Sequence, residues 1–254
     1  MIDIHCHILP GLDDGPEEMD ESINMAKEAV SQGIHTIIAT PHHKTVTYNN
    51  EKESILPLIS SLNEEIKKEN IPLNIFPGQE LRINGELIDE FQNDRLLGLN
   101  QSKYLLVEFP SDHVPRYAEK LLFDLQLAGL TPVIAHPERN KEIIENPDQL
   151  YKLVKNGACT QLTSASITGH FGKKIMKFSN QLIDASLAHF LASDAHNLTN
   201  RSFLFEKSLK SVKDKYGNDM VYLFTENAEL LFKNQSIIKE PPKKVNKKKI
   251  LGLF

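Results

Sequence analysis

Tryptophan is absent from this sequence, and cysteine nearly so, with only Cys6 and Cys159 among 254 residues. Two thiols cannot form a disulfide framework, and neither belongs to a CxxC pair, so both are expected to be reduced. A thiol-based phosphatase would need an arginine at the sixth position after its cysteine. Cys6 leads there to Leu12 and Cys159 to Ala165, which excludes a covalent cysteine route. No Walker A or GxGxxG pattern is present, so nucleotide-driven transfer has no support. No apolar run approaches the ~18 residues of a membrane helix, and Met1 leads straight into a strand-like run rather than a secretion signal, so no membrane span and a cytoplasmic location are expected. Arginine is scarce as well, at five residues against 24 lysines.

What is present is ordinary in bulk and uneven in distribution. Hydrophobic residues make up 40% and charged residues 25%, enough for a well-buried core in one α/β domain. Net charge is −5, yet six lysines and one acid fall from Lys239 onward, leaving the preceding body at −10. So acidic a body argues against a nucleic-acid surface and suits a site holding several divalent cations. The expected organisation is a domain over residues 1–233 and a basic, flexible tail over 234–254. That tail is either a solvated end or a contact for a partner or an anionic surface.

Short β-branched runs alternate with longer amphipathic ones, the signature of β-α units around a parallel sheet. Strands are predicted at residues 2–5, 35–39, 73–76, 104–108, 132–135, 158–162 and 189–192. Helices are predicted at 16–32, 51–69, 115–128, 147–155, 200–216, 219–224 and 226–232, several bounded by an opening proline or a closing glycine.

The chemistry-bearing residues gather just after those strands, where β/α barrels build active sites. His5 and His7 follow the first strand with Asp14 close behind, His42 and His43 follow the second, and Glu80 the third. Glu108 ends the fourth, His136 and Arg139 follow the fifth, and Asp194 and His196 the seventh. The sixth supplies no ligand-type residue. Residues two apart on a strand point the same way, so His5 with His7, and Asp194 with His196, can each face one cation, while Cys6 turns to the other face. Imidazole and carboxylate without thiolate suit Mn, Zn or Fe. His35, His113, His170 and His189 lie at strand starts or in loops and read as packing or exposed residues, and His43 as a neighbour of the site.

The segments HCHILPGLDDG, HPER, SITGHFG and SDAHN, in that order and followed by Arg201, resemble the PHP (polymerase and histidinol phosphatase) superfamily. Within it they are most similar to the bacterial protein-tyrosine phosphatases of the CpsB/CapC/YwqE group. The likeness runs from Met1 to about Phe232. It departs mildly from the group at Cys6 and Ala228. It implies a distorted TIM-like (β/α)7 barrel, the PHP fold, with three divalent metal ions, commonly manganese, with iron or zinc as alternatives. Carried over, His5, His7, Glu80 and Asp194 hold one ion. Glu80 bridges to a second, also held by Glu108 and His136, and Asp14, His42 and His196 hold the third. The implied activity is hydrolysis of phosphotyrosine on proteins, including a bacterial tyrosine kinase of the capsule or exopolysaccharide system, with water ionised at the cations attacking phosphorus.

Arg139 and Arg201 follow His136 and His196 closely, and a guanidinium can bind two phosphate oxygens at once. Both are therefore candidate catalytic residues, the plainer alternative being a pair with a nearby carboxylate. A small-molecule phosphomonoesterase such as a histidinol-phosphate phosphatase would use the same chemistry. A nuclease module is disfavoured by the acidic body, and a silent scaffold by the full ligand set.

Overall fold

Strands that are apolar on both faces must be covered twice, by one another inside a barrel and by helices outside it. The computed structural model of the chain describes residues 1–246. Its strands are β1 (Ile2–Cys6), β2 (Thr36–Ala39), β3 (His42–His43), β4 (Asn74–Pro77), β5 (Glu80–Arg82), β6 (Tyr104–Glu108), β7 (Thr131–Ala135), β8 (Cys159–Thr163) and β9 (Phe190–Ala192). Its helices are α1 (Met19–Ser31), α2 (Lys52–Lys68), α3 (Leu87–Gln92), α4 (Ala118–Leu127), α5 (Lys141–Glu145), α6 (Asp148–Lys155), α7 (Ser164–Ile167), α8 (Lys173–Asp184), α9 (Phe205–Tyr216) and α10 (Asn218–Phe232). Every pairing is parallel, in ladders ordered β1-β2-β4 and β3-β5-β6-β7-β8-β9.

The seven predicted staves are all found, but two of them are broken. β2 stops before Thr40-Pro41 and resumes as β3, and β4 stops before Gly78-Gln79 and resumes as β5. Pro41 has no N–H to give a ladder. A Cβ on Gly78 would lie 2.8 Å from Ile38 Cγ2, so glycine permits the close approach of these two staves. Gln79 turns off its strand, donating to the Asn50 carbonyl at 2.7 Å and accepting from the Leu97 N–H at 2.6 Å.

The barrel closes between its first and last staves without a regular ladder. The Asp194 N–H donates to the His5 carbonyl at 2.8 Å and the His7 N–H to the Ala195 carbonyl at 2.9 Å. Buried Asp3 reinforces this seam, its carboxylate accepting the Ser193 N–H at 3.0 Å and the Ser193 hydroxyl at 2.5 Å. Burial raises the Asp3 carboxyl to about 6, against the lowering effect of the Ser193 hydrogen bonds.

Ile4, Ile38, Tyr104, Leu106, Val133, Cys159, Phe190 and Ala192 fill the barrel interior, and Ala228 and Leu231 of α10 plug its N-terminal end. A larger apolar layer lies outside, between the staves and the surrounding helices, and Cys6 belongs to it because a pairing irregularity in β1 takes it off the face of Ile4. The predicted helix at 200–216 begins only at Phe205. Asn197 Oδ1 gathers the N–H groups of Thr199, Asn200 and Arg201 at 3.0, 3.1 and 3.1 Å, folding those residues into a tight loop. The two predicted C-terminal helices are one, α10, since nothing between them interrupts the backbone ladder.

Beyond α10 the chain crosses the N-terminal end of the barrel. The Gln235 carbonyl accepts the Tyr104 hydroxyl at 2.6 Å, and Ile238 exchanges two hydrogen bonds with the Asn227 side chain. The Lys243 N–H then donates to the Ala185 carbonyl at 2.8 Å. The predicted tail thus includes a docked stretch, residues 234–246, while its apolar tip at 250–254 lies outside the described residues.

Candidate metal centre

Each stave changes character toward its C-terminal end. Ile38, Phe76, Leu106, Cys159 and Ala192 pack the interior. The next same-facing positions on those staves are His42, Glu80, Glu108, Gln161 and Asp194, at steps of two or four residues. A polar tier therefore sits on an apolar plug. On β1 an irregularity in pairing between Asp3 and Cys6 turns His5 and His7 inward. Two residues reach the tier through left-handed backbone, His136 at φ 32° and Asp194 at φ 52°, a strain that persists where the surroundings fix it.

All nine sequence-predicted ligand residues meet in this tier. His5 Nε2 and His7 Nε2 lie 3.2 Å apart. Glu80 Oε2 is 3.5 Å from the first and 3.3 Å from the second, and Asp194 Oδ1 is 3.4 and 3.5 Å from them. His5, His7 and Glu80 thus offer three donor atoms close enough to share one divalent ion, with Asp194 Oδ1 beside the two imidazoles. A second group joins His42, Glu80 and Glu108, with His136 Nε2 2.9 Å from Glu80 Oε1 and 3.9 Å from Glu108 Oε1. A third joins His7, Asp14, His42 and His196, with His196 Nε2 3.2 Å from Asp14 Oδ1. Glu80 is common to the first two groups, while His7 and His42 each reach two.

The imidazoles are held for ligation from behind. His5 Nδ1 pairs with Gln161 Oε1 at 2.9 Å, His7 Nδ1 with Asp13 Oδ2 at 2.6 Å, and His196 Nδ1 with the Asp194 carbonyl at 3.0 Å. Each of these partners accepts, so the proton sits on Nδ1 and the Nε2 lone pair faces the cluster. Buried Glu80 Oε2, Glu108 Oε2, His42 Nδ1 and His196 Nε2 have no hydrogen-bond partner among the described residues, although chargeable groups stand close by. Buried polar atoms left in this way cost free energy unless another partner engages them. The donor set thus fits hard or borderline divalent cations.

The electrostatics differ across the tier: burial acts to lower His5 and His7, but Glu80 beside the first and Asp13 beside the second outweigh it and raise both imidazoles. Burial raises the Glu108 carboxyl to about 7, helped by neighbouring Glu80. Burial opposes ionisation of Glu80 too, but His5 and His42 outweigh it and hold that carboxyl well below its usual range. His136 is brought down to about 4 by burial and then by Arg139, and His196 to about 4 by burial and then by His7. Both are neutral near pH 7, as ligation requires.

Both candidate arginines reach this tier and pair with its carboxylates. Arg139 lies 2.8 Å from Asp194 Oδ2, and Arg201 lies 2.8 Å from Asp14 Oδ2 and 3.4 Å from Asp194 Oδ1. Their side chains remain 22% and 28% exposed, so both guanidiniums can also face the opening. Beside Arg139 is a cavity of about 500 Å³ whose lining includes Glu108, His136, Phe109, Phe171 and Ile175. The Phe171 ring stacks over the Arg139 guanidinium at 5.4 Å.

A family model described as capsular polysaccharide synthesis, CpsB/CapC, matches residues 1–233. The chain belongs to the CpsB/CapC family. The tyrosine-protein phosphatase YwqE of Bacillus subtilis (strain 168) is 53% identical over 254 residues, all of both chains. CapC of Staphylococcus aureus is 42% identical over 257 residues, again all of both. A crystal structure described as YwqE from Bacillus subtilis and CpsB from Streptococcus pneumoniae, unique metal-dependent tyrosine phosphatases, matches 97% of this chain and 100% of its own at a TM-score of 0.95.

In this CpsB/CapC chain several residues beside the tier escaped sequence reasoning. Asp13 and Gln161 orient histidines, Asp3 ties the seam, and Arg82 lies 2.8 Å from Glu108. Buried Glu138 accepts the Thr163 N–H at 2.9 Å and the Ser166 hydroxyl at 2.7 Å, fixing the turn after β8 beside Arg139. Signals existed for some of them: Asp13 is doubled with Asp14, and Asp3 interrupts an apolar run. His43 is buried next to His42, and burial lowers its pKa. His189 is buried at the opposite end of the barrel, where its Nδ1 accepts the Thr160 N–H at 3.2 Å.

Proposed function

We propose that this protein is a metal-dependent protein-tyrosine phosphatase, a phosphoric monoester hydrolase acting on phosphotyrosine. The reading rests on one juxtaposition, a nine-residue imidazole and carboxylate tier beside an aromatic-walled cavity. Three divalent ions are proposed, manganese with iron or zinc as alternatives. His5, His7, Glu80 and Asp194 would hold the first, Glu80, Glu108 and His136 the second, and Asp14, His42 and His196 the third. Bound cations supply the positive charge that lets water ionise near neutral pH and that offsets the charge of the phosphate.

The protein's own groups then bind and orient. Arg139 pairs with Oδ2 of Asp194 and Arg201 with its Oδ1, and both would hold non-bridging phosphate oxygens, where charge stabilisation matters most. Phe109, Phe171 and Ile175 offer the apolar wall that an aromatic leaving group needs and a serine side chain would leave unfilled. A tyrosine kinase of the capsule or exopolysaccharide system is the proposed protein substrate, supported by the description of the family. A cytoplasmic setting is part of the same proposal. Both cysteines are free and buried, and no helix among the described residues is long and apolar enough to cross a membrane.

Phosphotyrosine peptide and histidinol phosphate should be assayed side by side with manganese. The peptide is expected to show the higher kcat/KM by roughly tenfold or more, the order of discrimination available to a filled apolar pocket. Faster turnover of histidinol phosphate would overturn the protein-substrate reading.

A further inference from the structure

One face of α8 is a basic groove that the hydrolytic reaction does not use. Lys173, Met176, Lys177, Asn180, Gln181 and Asp184 recur at helical spacing along it. Across from them stand Lys215 at the end of α9 and Lys243 and Lys244 of the docked tail, enclosing about 660 Å³. Five lysines thus face one carboxylate in a molecule whose body is otherwise acidic. Among the described residues only Lys244 is drawn into an ion pair, with Asp148 at 3.5 Å, and all five side chains are exposed. The tail stays in this place because the Lys243 N–H is bonded to the Ala185 carbonyl.

The groove and the cavity beside the site share the start of one helix, α8. Phe171 and Ile175 wall the cavity beside Arg139, and Lys173 lies between them in sequence at the start of the basic face. From Lys173 to Ala185 the helix advances about 18 Å, a distance that an extended peptide covers in about five or six residues. A chain leaving the cavity along α8 would run beside Lys173 and Lys177.

We propose that this groove docks an acidic stretch of the phosphoprotein substrate, lying about three to eight residues from the phosphotyrosine. The proposal rests on the phosphatase reading and adds a selectivity that the metal tier cannot supply. Flanking carboxylates, or further phosphotyrosines, would be recognised by charge and hence weakly one by one and usefully together. The docking would act on capture of the substrate and leave the chemical step untouched.

The test uses the full chain loaded with manganese and three substrates: p-nitrophenyl phosphate, a phosphotyrosine peptide flanked by glutamates, and the same peptide with glutamines. The triple variant Lys173→Glu, Lys177→Glu, Lys215→Glu is compared with wild type. Wild type is expected to prefer the glutamate peptide by roughly tenfold in kcat/KM, mostly through KM, and to lose that preference at high salt. The variant should lose or reverse the preference while hydrolysing p-nitrophenyl phosphate as wild type does. Equal kcat/KM for the two peptides in wild type would overturn the proposal, and so would a preference that survives the triple variant. Binding to anionic vesicles without any peptide preference would likewise overturn it, assigning the lysines to a membrane surface. Hydrolysis of p-nitrophenyl phosphate with no turnover of either peptide would instead sink the protein-phosphatase reading itself.

Discussion

Asp13 touches no proposed cation, yet its replacement by asparagine should disable the site. Its side chain is 1% exposed and receives three donors. Oδ1 accepts the Gly15 N–H at 3.0 Å, and Oδ2 accepts the His42 N–H at 3.0 Å and His7 Nδ1 at 2.6 Å. Burial opposes its ionisation, but His7 and the backbone donors prevail and bring the carboxyl down to about 2. In Asp13→Asn the amide has one accepting end for this three-donor cradle. If its oxygen faces His7 and His42, its NH2 group meets the Gly15 N–H and leaves a buried donor unpaired, at about 1–3 kcal/mol. If it flips, the NH2 group faces His7 Nδ1, and the imidazole proton must move to Nε2, toward Glu80 and Asp194. That tautomer has no lone pair for a cation.

Exchange of the charged acceptor for an amide, above all a flipped one, should weaken metal uptake about 10- to 100-fold, the range found when the partner that orients a ligand histidine is altered. The assay is a manganese titration followed both by activity and by the metal-induced rise in melting temperature. The half-saturating concentration should increase by that factor in both readouts, with a lower melting temperature of the metal-free variant. An unchanged half-saturating concentration would refute the claim that Asp13 sets the protonation of His7.

Three further outcomes are expected. Arg139→Ala should lower kcat/KM by about 100- to 1000-fold, and Arg139→Lys should restore little of it, because a point charge cannot make two parallel bonds to phosphate; a loss below twofold would remove Arg139 from the chemistry. His189 is held down at about 3 by burial and then by Lys239, so it is neutral in the fold, its stability contribution is intact above the unfolded value of about 6.5, and it is lost as pH falls toward 3, amounting to about 2 kcal/mol at pH 5. Urea unfolding of wild type and His189→Gln should show the variant losing about 2 kcal/mol less between pH 7 and pH 5, and equal losses would contradict this. Phe190, fully buried in the barrel interior and edge-on to Tyr104 at 6.4 Å, should cost about 3–5 kcal/mol when replaced by alanine, and a cost under about 1.5 kcal/mol in equilibrium unfolding would show that the interior collapses around the gap.

The convergence of these imidazoles and carboxylates could be read from the sequence because parallel barrels place strand ends together whatever the details of the loops, so bringing His5, Glu80, Glu108, His136 and Asp194 together needed only correct strand assignment. Their supporting residues could not be read that way. Gln161 lies on a strand that seemed to offer nothing, and it matters only because β8 brings it behind His5. Asp13 and Glu138 act through backbone groups far along the chain, and no local pattern reports such partners. The breaks at Thr40-Pro41 and Gly78-Gln79 likewise arise from contacts between staves. The start of α9 slipped because Asn197 competes for backbone donors that helix propensity assigns elsewhere.

The seam between the first and last staves sets a condition on when the enzyme can exist. Asp3 and Ser193 are separated by 190 positions, and His5 and His7 stand on one side of the seam with Asp194 and His196 on the other. Contacts of such long range are the slowest to form. A chain still emerging from the ribosome therefore carries seven of the nine proposed cation ligands without Asp194 and His196, and catalytic power arrives only once β9 and the loop after it have been made. The nascent protein is inert by construction.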